Sequence, residues 1–268
     1  KVGSFAIGQS VGIRGAIDLG ADSVLITADG YQPLNTALQG GRAATRFNVS
    51  DKIQNAALRQ IFSSSGNFGW DMAYYPLRNW LLVNYPVSGT VFQQHVVNLR
   101  TGAWCRFKGV PALCWKLFNE RLYFGAAGGN VFLFDEGASD NGANILADAL
   151  PAYNYLGSRT NQKMVNTVRV VTSSDGDLPL EISVQRDLGI DPAGDVITNF
   201  LPGSVGTATW DLATWDVDSW AGEAIARDVW LDRGGLGYSF ALRVRYNGQG
   251  REVRWLSYTY SYEIAAPI

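Results

Sequence analysis

One local pattern recurs through the first half of this chain: a polar turn, an apolar strand, a glycine-containing turn and a second strand. Asp22-Ser23 leads into Val24-Leu25-Ile26-Thr27, then Ala28-Asp29-Gly30, then Tyr31-Gln32-Pro33-Leu34. Arg78-Asn79 opens Trp80-Leu81-Leu82-Val83, and after an insertion Asn98-Leu99-Arg100-Thr101-Gly102 turns into Ala103-Trp104-Cys105-Arg106-Phe107. Asn119-Glu120-Arg121 leads into Leu122-Tyr123-Phe124, then Gly125 to Gly129, then Asn130-Val131-Phe132-Leu133-Phe134. This is the grammar of hairpins. Recurrence at roughly 45–50 residues is the spacing of β-propeller blades. A meandering sandwich makes similar hairpins, and the propeller is the favoured reading.

One helix interrupts the strands. Ser50 reads as its N-cap, Asp51 suits the positive end, and Ile53, Ala57 and Ile61 fall on one face. The helix is expected to end near Phe62, where Ser63-Ser64-Ser65-Gly66 stops it.

A break falls near residues 136–151, where Gly137, Ser139, Asp140, Asn141 and Gly142 cluster. Strands are expected at Met164–Thr172, Leu180–Arg186, Ser239–Arg245 and Val253–Tyr262. Phe240, Leu242, Val244 and Tyr246 alternate with Arg243 and Arg245, the mark of a half-buried strand. Asn247-Gly248-Gln249-Gly250 reads as a hairpin turn, with Arg251 to Tyr262 as the return strand. The expected fold is all-β. Partial β-propeller-like blades with one inserted helix near residues 50–62 occupy residues 1–150. A β-sandwich or barrel-like domain occupies residues 151–268.

A tryptophan ladder lies in the second half: Trp210-Asp211, Trp215-Asp216 and Trp220. A step of five flips faces on a strand and walks about 140° around a helix axis. The ladder therefore reads as a winding, turn-rich connection that plants a ring at each pass. Asp211 and Asp216 are expected to hold the corners by accepting backbone N–H bonds. Packing or a subunit interface is the favoured role for the rings over stacking on a glycan.

Composition narrows the function classes. Net charge is −2, which offers no global support for gripping nucleic acid or anionic membrane. Residues 1–150 carry 12 basic and 10 acidic groups, and residues 151–268 carry 10 and 14. No apolar run approaches the ~20 residues of a membrane span. The chain starts at Lys1 rather than Met, which suggests a piece of a longer protein. Cys105 and Cys114 read as small buried hydrophobes, not as a disulfide framework.

Catalytic groups are sparse. His95, the one histidine, sits in a strand and reads as a hydrogen-bonded packing residue. No Gly-x-Ser-x-Gly elbow, His-Glu-x-x-His pair or phosphate-binding glycine loop occurs. Asp187, Asp191 and Asp195 are spaced by four in a glycine-rich loop, a solvated loop in preference to a calcium site. Asp211, Asp216 and Asp218 could also face a cation. No catalytic, cofactor-binding or metal residues are expected.

Several runs resemble one family. Arg14-Gly15 with Ala28-Asp29-Gly30-Tyr31-Gln32-Pro33-Leu34, Leu117 through Gly125, Ser139-Asp140-Asn141-Gly142, Tyr153 through Arg159 with Gln162-Lys163, and the Trp-Asp ladder resemble the C-terminal portion of tail nozzle or hub proteins of short-tailed bacteriophages. The resemblance implies a virion structural protein in the phage tail, made in the host cytoplasm. It implies a ring of usually six copies that contacts the tail adaptor and other tail proteins. Genomic DNA would pass through its channel without specific binding. No catalytic residues carry over, and no enzyme activity is expected. The competing reading is a carbohydrate-binding or glycan-hydrolysing β-propeller protein, which needs paired carboxylates or exposed coplanar rings.

Overall fold

The computed structural model describes residues 7–40, 48–174, 179–189, 225–232 and 234–265. The chain is mostly β and divides into two compact units, Lys1–Glu136 and Gly137–Ile268. The division falls earlier than residue 150, because the strand Ile145–Ala149 pairs with Phe240–Gly248 and so belongs to the second unit.

Unit 1 holds three antiparallel meanders in series. The first contains β1 (Ala16–Asp18), β2 (Ser23–Thr27) and β3 (Gly30–Pro33). The second contains β4 (Asp71–Tyr75), β5 (Trp80–Pro86), β6 (Phe92–Asn98) and β7 (Ala103–Lys108). The third contains β8 (Cys114–Phe118), β9 (Arg121–Gly125) and β10 (Val131–Leu133). β4 is a neighbour of both β1 and β8, so the first strands of successive sheets are neighbours. No closed propeller or barrel forms among the described residues. The β8–β9 turn shows why the hairpins are tight. Asn119 and Glu120 both take positive φ, 47° and 62°, the geometry of a two-residue turn that matches strand twist.

The second sheet is buried on both faces, which explains the nearly unbroken apolar run of β5. Met72, Leu81, Val83, Tyr85 and Val97 pack against Val24, Ile26 and Tyr31 of the first sheet. Ala73, Tyr75, Leu82 and Val96 pack against Trp115 and Leu122 of the third. Helix α2 (Gln54–Ser64) closes the first core with Ala57 and Ile61, after a 3-10 turn at Asp51–Ile53. The helical face matches the sequence pattern, but Ser50 is not a side-chain cap. Ser50 is fully buried, and its hydroxyl accepts the Tyr31 N–H instead, at 3.1 Å. A short helix α1 (Leu34–Gly40) replaces the end of the expected second strand. Asp22 Oδ1 accepts the Asn35 N–H there at 3.1 Å, a partner that local strand propensity does not reveal. Cys105 is exposed, not buried, because β7 is an edge strand; both cysteines are free.

Among the described residues, unit 2 holds two sheets around one core. One has the order β11 (Ile145–Ala149), β16 (Phe240–Gly248), β13 (Leu180–Arg186). In the other, β12 (Lys163–Ser174) pairs with β14 (Ile225–Leu231) and β15 (Gly235–Gly237), and with β17 (Val253–Ile264). Val165, Val168 and Val170 meet Leu180, Ile182, Phe240, Leu242, Val244 and Tyr246 in the middle. The last four residues are the alternating face read from sequence.

The expected hairpin at Asn247–Gly250 does not form. β16 and β17 belong to different sheets, and the connection turns a corner between them. Gly250 takes φ of +74°, and its N–H bonds the Ala138 carbonyl at 2.7 Å. Strict alternation also fails on β12 and β17, because each carries one extra residue. Pairing jumps from Val165 to Thr167 opposite Tyr262 and Ser261, leaving Asn166 over. It jumps again where Val171 and Thr172 face Ser257 and Trp255, leaving Leu256 over. Each bulge moves the inward set by one position.

Gly69 marks the closest packing in unit 1. Its φ is +114°, and a Cβ there would lie 2.2 Å from the Phe92 ring. Gly69→Ala is expected to cost about 3 kcal/mol through backbone strain and a displaced buried ring. Urea unfolding monitored by tryptophan fluorescence reads this as a lower midpoint. An unchanged midpoint would show that the ring has room to move.

Candidate functional site

The most concentrated chemistry in unit 1 is a buried polar row across the second sheet. Asp71 of β4 lies opposite Asn84 of β5, and Asn84 lies opposite Gln94 of β6. All three are buried, Asn84 and Gln94 completely. A buried polar group without a partner is costly, so the row must find partners nearby. It finds them in the connection that enters the third sheet. Gln94 Nε2 donates to the Val110 carbonyl at 3.1 Å and to Asn84 Oδ1 at 2.7 Å. Asn84 Nδ2 donates to the Ala112 carbonyl at 2.9 Å and the Gly69 carbonyl at 2.7 Å. Asp71 Oδ2 accepts the Trp115 N–H at 3.1 Å. Arg14, from ahead of the first sheet, donates to the Leu113 carbonyl at 2.9 Å and faces Asp71 at 3.5 Å. Arg14 and three residues of the second sheet thus converge on one stretch of backbone, 110–115, which enters the third sheet.

Burial raises the Asp71 carboxyl above its ordinary range, while Arg14 and the N–H groups of Trp115 and Met72 pull it down. Burial is the largest of these effects. The carboxylate is therefore a joint, held by the Trp115 N–H of the third sheet and by Arg14 from ahead of the first.

The opposite face carries His95. It lies on β6, opposite Val83 on one side and Arg106 on the other. Its Nδ1 bonds the Tyr31 hydroxyl at 2.8 Å, and the Tyr85 ring centroid lies 4.4 Å from the imidazole. Burial, and secondarily the Arg106 charge, lower its pKa to about 4. Burial also raises the Tyr31 phenol above its ordinary range. Both groups are neutral near pH 7, so the pair is a hydrogen-bonded strut between the first and second sheets. This matches the packing role read from its strand position.

Of the site residues named from sequence, Trp210, Asp211, Trp215, Asp216 and Trp220 lie outside the described residues. So do Asp191, Asp195 and Asp218. Asp187 is described, at the end of β13 with φ of +50°. Its Oδ1 accepts the N–H groups of Tyr238 at 2.7 Å and Ser239 at 3.1 Å. It fastens the entry to β16 and is more than a solvated loop residue. Among the described residues no cluster of three or more histidine, cysteine, aspartate or glutamate side chains could hold a metal. Several carboxylates face arginines: Asp135 with Arg78, Asp148 with Arg243, Asp228 with Arg169, Glu181 with Arg245. No described helix is long and apolar enough to cross a membrane.

Lys163 and the polar row were not anticipated. Lys163 is completely buried, and its ammonium donates to the Ser158 and Tyr238 carbonyls. The available signal was a charged or amide residue inside an apolar run, as in Asp71-Met72-Ala73 and Val83-Asn84-Tyr85. The chain matches no family model and no curated protein.

Two measurements check these roles. Asn84→Leu keeps the volume but strands the Ala112 and Gly69 carbonyls and a Gln94 donor, at an expected cost of about 3 kcal/mol. Thermal unfolding reads it; a loss below about 1 kcal/mol would mean that water replaces the amide.

For His95 the folded pKa lies below the unfolded one, so the unfolded chain binds the proton more tightly. The stability it contributes is complete above about pH 6.5 and is lost as pH falls to about 4, by up to about 3 kcal/mol. Asp71, with a raised folded value, contributes the opposite slope in acid. Urea midpoints across this window should therefore slope less for His95→Gln than for wild type. Identical slopes would show that His95 protonates in the folded state without penalty.

Proposed function

We propose that this chain is a virion structural protein of a short phage tail, of the nozzle or hub type. It assembles with copies of itself, six in the expected ring, to form part of the DNA ejection conduit. The observation that carries this reading is the serial stack of meanders in unit 1. The second has the four strands of a propeller blade and its neighbours three each, and the first strands of successive sheets are neighbours. Arg14, just ahead of β1, bridges in parallel with Asp71 of β4. Aromatic packing joins the second and third sheets through Trp80, Phe107, Trp115 and Phe134. Such a wall is rigid, which suits a conduit that transmits load and performs no chemistry. Unit 2 supplies two sheets around one core, a sandwich-type appendage. The runs that resemble nozzle proteins span both units. The mild net charge of −2 suits a channel past which DNA slides. The tail adaptor and other tail proteins are the further partners, and the assembled tail is the place of action.

The test is the particle formed by the full chain, imaged by electron microscopy and weighed by mass photometry. A six-membered ring with a central channel supports the proposal. A chain that stays monomeric and cleaves host polysaccharide overturns it in favour of the glycan-directed reading. Trp215→Ala is expected to weaken ring assembly or lower the melting temperature of the chain. A variant that assembles and melts like wild type would show that the ladder is neither core nor interface.

A further inference from the structure

Among the described residues, the last strand of unit 2 is an edge strand. Among the described residues β17 pairs with β12 alone, and no strand lies along its other side. It is twelve residues long, and its backbone groups on the free side form a template for another strand. Natural edges of this length are usually guarded by inward charges, proline or a covering element. The stretch Trp255 to Tyr262 contains neither proline nor a charged residue. Its bulge adds Leu256, which is 55% exposed. Its inward row is aromatic and incompletely covered: Trp255, Tyr258 and Tyr260 are half-buried, and Tyr262 is exposed. An aromatic row beside unpaired backbone is the profile of an interface strand.

We propose that β17 pairs antiparallel with β17 of a second copy of this chain, about a two-fold axis at Thr259. The occupant follows from the strand's own pattern. Residues opposed across an antiparallel pair share a face of the sheet. With Thr259 on the axis, Ser257 opposes Ser261 of the second copy, and Tyr258 opposes Tyr260. The extra residue at Leu256 then shifts the register by one. Trp255 meets Tyr262, and Arg254 meets Glu263. Every pair obeys the face rule that the bulged pairing with β12 imposes. The self-pairing forms four aromatic cross-strand pairs on one face. On the other it sets two opposite-charge pairs around a centre of small hydroxyl residues. Arg254 now bonds Glu252 at 2.8 Å, and Glu263 accepts from Asn166 at 3.4 Å. Arg254, Glu252 and Glu263 are exposed, so the two charged groups can turn toward a second copy. A two-fold contact is self-complementary and closes after two copies. It stands apart from the ring reading, whose contacts run head to tail.

Sedimentation equilibrium of the full chain tests this, with circular dichroism and melting to confirm that each variant folds. Thr259→Lys puts two ammonium groups on the axis and is expected to halve the wild-type particle mass. Arg254→Glu and Glu263→Arg each place like charges opposite one another twice, and each should weaken association about tenfold. The double exchange restores opposite charges and should recover most of the wild-type affinity. A wild-type monomer overturns the proposal. So does a Thr259→Lys protein whose mass equals that of wild type, or a double exchange no better than the singles. A wild-type dimer that Thr259→Lys converts to monomer supports the edge pairing while removing the ring. A six-membered ring unchanged by Thr259→Lys does the reverse.

Discussion

The polar row Asp71, Asn84 and Gln94 is the constraint around which unit 1 is organised. A sheet covered on both faces offers little solvent to its polar side chains, so they draw their hydrogen bonds from protein. Here the answer is the backbone at 110–115, with Arg14 reaching in from the other side. Those bonds fix how the third sheet leaves the second, and the Arg14–Asp71 contact fixes how the first sheet meets it. Apolar packing of Tyr31, Trp70 and Leu81 in one core, and of Tyr75, Leu82 and Trp115 in the other, supplies the larger driving force. It is non-directional, however. The hydrogen-bonded row supplies direction, and the neutral His95–Tyr31 pair repeats the device on the opposite face.

Unit 2 solves a different problem. One long strand, β12, serves partners on both edges, and two bulges let it and β17 curve around the facing sheet. The bulges decide which side chains enter the core. Lys163 and Val165 point in on one side of Asn166, and Val168 and Val170 on the other. Gly234 shows how tightly the strands meet, since a Cβ there would overlap the Val165 carbonyl. Among the described residues β17 pairs with β12 alone, and its bulge sets which of its residues oppose each other when a second copy docks.

Local pattern was legible wherever a single element decided the outcome. Phe240, Leu242, Val244 and Tyr246 alternate in sequence and line one core. Ala57 and Ile61 mark the buried helical face. The strands around Val24, Trp80, Leu122 and Val131 follow from β-rich runs between turn residues. Legibility ended where a distant partner decided. Ser50 has cap chemistry, yet a strand N–H nineteen residues away claims its hydroxyl. Asn247 to Gly250 has hairpin chemistry, yet Ala138 claims the Gly250 N–H. Asp71 and Lys163 are ordinary charged residues until folding buries them among carbonyls and amides.

By itself, then, the sequence determined the all-β character, the two-part layout and the inward faces of regular strands. Those depend on side-chain period and turn preference, which act over a few residues. Tertiary structure decided sheet membership of β16 and β17, the two register shifts and the partners of the buried polar row. Each of these depends on hydrogen bonds between residues far apart in the chain. Their free energy appears only when desolvation leaves a group no alternative partner.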